Sequence, residues 1–104
     1  MPLDETLNAL RDPTRREILR LLRRRDMTAG EIAARFPLAR STLSSHLNVL
    51  KDAGLAVYER QGTSLVYSLN LSVVEETMAA VVDLLSARTR EGRQRRRRAR
   101  EVPA

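Results

Sequence analysis

Residues 40–55 read RSTLSSHLNVLKDAGL, and the two halves of this stretch pull in different directions. The second half is a good helix, with leucines at helical spacing and a glycine stop. The first half carries Ser41, Thr42, Ser44 and Ser45, whose hydroxyls bond to nearby backbone groups and weaken helix interiors. At about 100° per residue, Leu47, Leu50 and Gly54 fall within roughly 40° of Leu43, so the leucines make one buried seam. Ser41, Ser44, Ser45, Asn48 and Asp52 point away from that seam. Thr42 and Val49 lie on one flank, and His46 borders the seam on the same side.

Outward from this helix the chain is short and helical. Leu3, Leu7 and Leu10 form an amphipathic stripe that ends near Asp12-Pro13. Asp12 is suited to cap a second helix through TRREILRLLRRR, with Pro13 at its first position and Ile18, Leu21 and Leu22 as the buried stripe. Thr28 and Glu31 have capping-box spacing and open a helix through AGEIAARF, which buries Ile32, Ala33 and Phe36 and stops at Pro37. Only a tight turn then separates it from the stretch at 40–55, which predicts a helix-turn-helix. After Gly54 the texture changes to strand formers. Leu55 to Arg60 and Ser64 to Leu69, around Gln61-Gly62-Thr63, predict a β-hairpin. Ser72 and Glu75 suggest a further capping box before a last helix, VVEETMAAVVDLLSARTR, which Gly92 is expected to end, with Arg88 and Arg90 in its final turn. The expected division is a folded domain over 1–91 and a basic, disordered tail over 92–104.

Composition bounds the function. One hundred and four residues fit one domain, and three aromatics leave a core of Leu, Val, Ile and Ala. There are no cysteines and one histidine, His46, so neither a thiolate metal site nor a nucleophilic triad has its parts, and no cofactor is expected. No apolar run is long enough to span a bilayer and the acidic start is no signal peptide, so a cytoplasmic protein without membrane contact is expected. Residues 1–87 hold 11 Lys+Arg and 11 Asp+Glu, whereas residues 88–104 hold 8 Arg and 2 Glu. The whole excess of +6 lies in residues 88–104, which can neutralise phosphates of any DNA but add little discrimination.

Small hydroxyl and amide side chains at the front of the 40–55 helix permit close approach to a major groove and can pair with phosphates or base edges. Asp52 at the back would repel phosphate, so the helix enters by its N-terminal end, where its dipole also favours an anion. Weak helix formers are tolerated there because that surface meets DNA. The last helix is more apolar than docking on one domain requires. Val74, Met78, Val81 and Leu85 make a stripe that, with Leu3 and Leu7, is expected to pack against a second copy of the chain. Met27 is expected to pack in the core or at that interface.

The segments ALRDPTRREILRLL, MTAGEIAARF, STLSSHLNVLKDAGLA and RQGTSLVYSLN, in that order, resemble the ArsR family of winged-helix transcriptional repressors, and most nearly its metal-independent SdpR-like branch. The resemblance covers about residues 3–85. It implies a mainly α fold with a small β-hairpin, a winged helix-turn-helix that dimerises through its terminal helices. It also implies a homodimer on an inverted-repeat operator, its own promoter among the candidates, with Arg40, Ser41, Thr42, Ser44, Ser45, His46 and Asn48 at the DNA, Thr28 near it, and Arg60 on the wing. Two departures stand out. Ala39 occupies a cap position where members often carry Ser, so the cap is expected to shift to Ser41. The wing tip keeps a single basic residue, Arg60. Alternatives are a nonspecific nucleoid-type DNA binder driven by the arginine tail, or a winged-helix adaptor that binds protein instead of DNA.

Overall fold

A computed structural model describes residues 3–101, apart from the side chains at 87–91, 93, 100 and 101. The elements run α1 (Leu3–Leu10), α2 (Pro13–Arg24), β1 (Met27–Thr28), α3 (Ala29–Ala33), α4 (Arg40–Asp52), β2 (Ala56–Gln61), β3 (Ser64–Leu69) and α5 (Leu71–Glu101). The order is that of a winged helix-turn-helix.

The local signals act where the sequence puts them. The Asp12 carboxylate accepts from the backbone N–H groups of Thr14 (2.8 Å) and Arg15 (3.2 Å), and Pro13 opens α2. The Thr28 hydroxyl accepts from the Glu31 N–H, and the Glu31 carboxylate accepts from the Thr28 N–H, each at 3.1 Å. At the end of α4 the N–H of Gly54 bonds to the Lys51 carbonyl at 2.9 Å and that of Leu55 to the Leu50 carbonyl at 3.0 Å. This pair of bonds is a Schellman motif, and it needs the left-handed backbone that Gly54 adopts at φ 79°. Leu50 and Leu55, which the motif brings together, are both buried.

β2 and β3 pair from Ala56↔Leu69 to Gln61↔Ser64, leaving Gly62 and Thr63 as a two-residue connection. Gly62 has φ 63° and no non-glycine residue among the described residues has positive φ, the pattern of a II′ hairpin turn. The core gathers Ile18 and Leu22 of α2, Ile32 of α3, Leu43, Leu47 and Leu50 of α4, and Leu55, Ala56 and Tyr67 of the hairpin.

Outside α4 the structure departs from the expectations at five places. A third strand, β1, pairs Met27 with Tyr67 and Thr28 with Val66 on the outer side of β3. Two residues carry no periodicity, so only the pairing partner reveals it. α3 ends at Ala33, and turns carry the chain through Phe36, which is half-buried. α1 buries Thr6 and Ala9, whose small side chains permit close packing, and leaves Leu7 46% exposed. Ser72 is not a cap: α5 starts at Leu71, and the Val74 N–H bonds to the Asn70 carbonyl at 3.1 Å. Finally, α5 passes through Gly92, the expected stop, and runs to Glu101, while Arg88 and Arg90 lie outside the described side chains. One glycine costs a helix only about 1 kcal/mol relative to alanine, and the Arg, Gln, Ala and Glu that follow are good helix formers.

Two glycines therefore respond oppositely to alanine. Gly54→Ala must place a Cβ on a left-handed backbone with Val73 at 3.5 Å, and is expected to cost about 1–2 kcal/mol in urea denaturation. Gly92→Ala, with nothing within 4 Å of the added Cβ, is expected to raise helicity in circular dichroism without loss of stability.

Candidate nucleic-acid interface

The first helix of the helix-turn-helix is held by its capping box and by an Arg25–Glu31 ion pair at 2.8 Å. Donation to the Glu31 carboxylate from the Thr28 N–H and the Arg25 guanidinium holds its pKa below the usual carboxylate value. Pro37 bars helix continuation, and the chain turns into α4.

α4 sits on its leucine seam as the wheel predicts. Leu43, Leu47 and Leu50 are buried, whereas Arg40, Ser41, Thr42, Ser44, Ser45, Asn48 and Asp52 are exposed. Arg40, Ser41, Thr42, Ser44 and Asn48 make no side-chain hydrogen bond or ion pair within the described residues. Their donors and acceptors face solvent ready for an outside partner. Ser45 differs: its hydroxyl donates back to the Ser41 carbonyl at 3.0 Å, so outward it offers an acceptor.

The cap does not move to Ser41. The Ala39 carbonyl already accepts from the Leu43 N–H at 3.0 Å, so the helix opens before Ser41, and Ala39 supplies no side-chain cap. Keeping Leu43 in the seam requires that early start. The uncapped N–H groups of the first turn remain open to an anion. Beneath this end, a groove between α3 and α4 is lined by Ala29, Gly30, Ala33, Arg40, Leu43, Ser44 and Leu47.

His46 is half-buried and faces the start of α2, its Nδ1 4.0 Å from Asp12 Oδ1, an ion-pair separation and not a hydrogen bond. Burial pushes the Asp12 carboxyl up, but the Arg15 and Thr14 N–H donors, aided by the His46 and Arg15 charges, hold it below its ordinary value. His46 thus ties α4 to the α2 cap, and it is less open to a duplex than its neighbours. Thr28 is half-buried as the α3 cap, where its hydroxyl oxygen accepts from the Glu31 N–H.

On the wing, Arg60 is exposed in register with Leu65, two residues before Gly62. Sequence reasoning missed how the wing is braced against α4: the Lys51 ammonium lies 5.5 Å from the centroid of the Tyr58 ring, which itself packs at 5.6 Å on Tyr67. No periodicity signals such a cross-element contact. It also missed Arg16, whose guanidinium donates to the Leu10 and Arg11 carbonyls at 2.9 and 3.0 Å and finishes α1. Among the described residues no three His, Asp or Glu side chains converge as a metal site would require, and no helix is long and apolar enough to cross a membrane.

The expected contact face for a second copy divides by exposure. Met78 and Leu85 are 63% and 64% exposed and Leu7 is also exposed, whereas Leu3, Val74 and Val81 are half-buried. Met27 is in the core.

The family model for "Bacterial regulatory protein, arsR family" matches residues 12–58, from the cap of α2 into the wing. The chain is also similar to the transcriptional repressor SdpR of Bacillus subtilis, with 38% identity over 84 residues that cover 81% of this chain and 93% of SdpR. This chain belongs to the ArsR family. It is a transcriptional regulator with a DNA-binding helix-turn-helix, and the family and its matched members are regulators and not enzymes. Among solved structures, an ArsR-like transcriptional regulator from Rhodococcus sp. RHA1 superposes with a TM-score of 0.85 at 28% identity, covering 97% of this chain and 93% of that one. Rv0081 of Mycobacterium tuberculosis superposes with a TM-score of 0.64 at 34% identity, covering 86% and 90%. The ArsR fold thus extends over both terminal helices as well as the matched motif.

The Asp12 geometry has a pH signature. Its folded pKa lies below the ordinary aspartate value, so the capped carboxylate stabilises the fold fully above the unfolded value. That contribution is lost as pH falls through the lower, folded value. Asp12→Ala is expected to cost about 0.5–2 kcal/mol at pH 7, and the gap to the parent chain should close at acid pH in parallel urea titrations.

Proposed function

We propose that the protein is a homodimeric repressor that binds an inverted-repeat operator, its own promoter being the first candidate, in the cytoplasm. The observation that carries this is the exposed face of α4, where polar side chains without internal partners stand on a buried leucine seam. Ser44 and Asn48 read base edges in the major groove. Ser41 and Thr42 contact phosphates with the first-turn N–H groups, and Ser45 accepts from an exocyclic amine. Arg40 and, from the wing, Arg60 neutralise backbone phosphates. Thr28 lies near the DNA backbone as the α3 cap, and His46 keeps α4 in register with α2. Repression is supported by the similarity to SdpR, itself described as a transcriptional repressor. No metal or other cofactor enters this scheme.

The second copy docks through Leu3 and Leu7 of α1 and Val74, Met78, Val81 and Leu85 of α5. The exposure of Leu7, Met78 and Leu85, continued on α5 by Val82 at 58%, supports this, because so much exposed apolar surface on one helix calls for a cover. A twofold dimer spaces its two reading helices about one helical turn of DNA, or a multiple, apart.

Selection of bound sites from random DNA tests the scheme. An inverted repeat is the expected product. Ser44→Ala and Asn48→Ala should each lose about 1–3 kcal/mol on the selected duplex and little on random DNA; equal losses on both would contradict base reading. Met78→Glu is expected to sediment as a monomer while keeping its helical circular dichroism.

A further inference from the structure

The reading head carries a net charge of only +1 on α4 and the wing. Over residues 1–87 acidic and basic residues are equal in number, and on the reading elements themselves Arg40 and Lys51 are set against Asp52, and Arg60 against Glu59. Such a surface has hydrogen bonds to offer a duplex but almost no net charge, although most of the salt-dependent affinity for DNA comes from neutralised phosphates. The missing charge is on the second half of α5. From Arg88 to Glu101 that helix carries eight arginines against two glutamates, and Arg95, Arg96, Arg97 and Arg98 are exposed. Four consecutive positions at about 100° apart reach all sides of a helix, so every face it presents is basic.

The helix also sets where this charge lies. Thirty-one residues extend roughly 46 Å at 1.5 Å per residue. The molecule measures 75 × 24 × 22 Å, so α5 leaves the rest of the fold as a rod. The six residues of β3 lead from the wing tip to the start of α5, which places the arginines on an arm distinct from the reading head. Arginine is also the better residue for phosphate, since its planar fork donates two hydrogen bonds to one group.

We propose that residues 92–101, the far end of α5, form a phosphate-gripping arm that supplies the sequence-independent affinity for duplex DNA while α4 and the wing supply the preference. The partner is the phosphate backbone of a duplex, either the flanks of the bound site or a second DNA segment. The proposal is independent of base reading by α4: random DNA tests the arm, and the ratio of selected to random affinity tests α4.

The experiment compares the full chain with a variant in which Arg95, Arg96, Arg97 and Arg98 are all replaced by Gln, a good helix former. Circular dichroism serves as the fold check. Binding to a random-sequence 40-base-pair duplex is titrated across salt concentrations. Each lost phosphate contact lowers the log–log salt slope by about 0.9, so the variant is expected to lose about 2–4 in slope and more than tenfold in affinity at low salt, with a higher ratio of selected to random affinity. The source is resolved by two further arms. If flanks are gripped, the loss vanishes on a duplex trimmed to the selected site. If a second segment is gripped, immobilised duplex carrying the parent protein captures free duplex and the variant does not. An unchanged salt slope overturns the proposal, as does tighter binding of the parent protein to anionic phospholipid vesicles or polyglutamate than to duplex with the same four-arginine dependence. Loss of preference with an intact slope would instead fault α4.

Discussion

The packing of Leu43, Leu47 and Leu50 against the core fixes the rotation of α4 about its own axis, and every functional feature follows from that rotation. A turn of about 100° would bring Ser44, Asn48 and Lys51 to the seam, where a polar group without a partner costs on the order of 1–3 kcal/mol. The seam closes at Gly54, where two backbone bonds end the helix and set Leu55 on Leu50. One apolar stripe and one left-handed residue therefore decide which side chains face outward. The poor helix formers at the front of α4 are carried by tertiary packing behind them.

Much of this was legible because the signals are local. Asp12-Pro13, Thr28 with Glu31, and Gly54 each act within four residues, and each appears in the structure with the hydrogen bonds its chemistry calls for. The α4 wheel was legible for the same reason, since periodicity on one helix needs no knowledge of its neighbours. β1 was hidden because two residues become a strand only beside β3. The cap was misplaced because serine is the better capping residue, and that preference yielded to the need to keep Leu43 buried. Gly92 has the look of a stop, but Gly54 is left-handed and closes a Schellman motif, whereas Gly92 is one residue inside α5.

The α1 stripe teaches a related point. Periodicity finds an apolar face without saying what covers it. Thr6 and Ala9 face the body of the fold, whereas Leu7 is left to solvent. In the proposed dimer that face finds its cover, together with Met78 and Leu85. Recognition and assembly would then occupy different helices, joined by the hairpin, with charge held apart on the far half of α5. Such an arrangement lets the reading face stay neutral and discriminating.

The most direct test of the central claim is a nuclear magnetic resonance titration of the nitrogen-15-labelled protein with a duplex recovered by site selection. The account predicts that the largest amide shifts fall on Arg40 to Asn48 and around Arg60 and Gly62. Shifts confined to the second half of α5, with the amides from Arg40 to Asn48 unmoved, would contradict it.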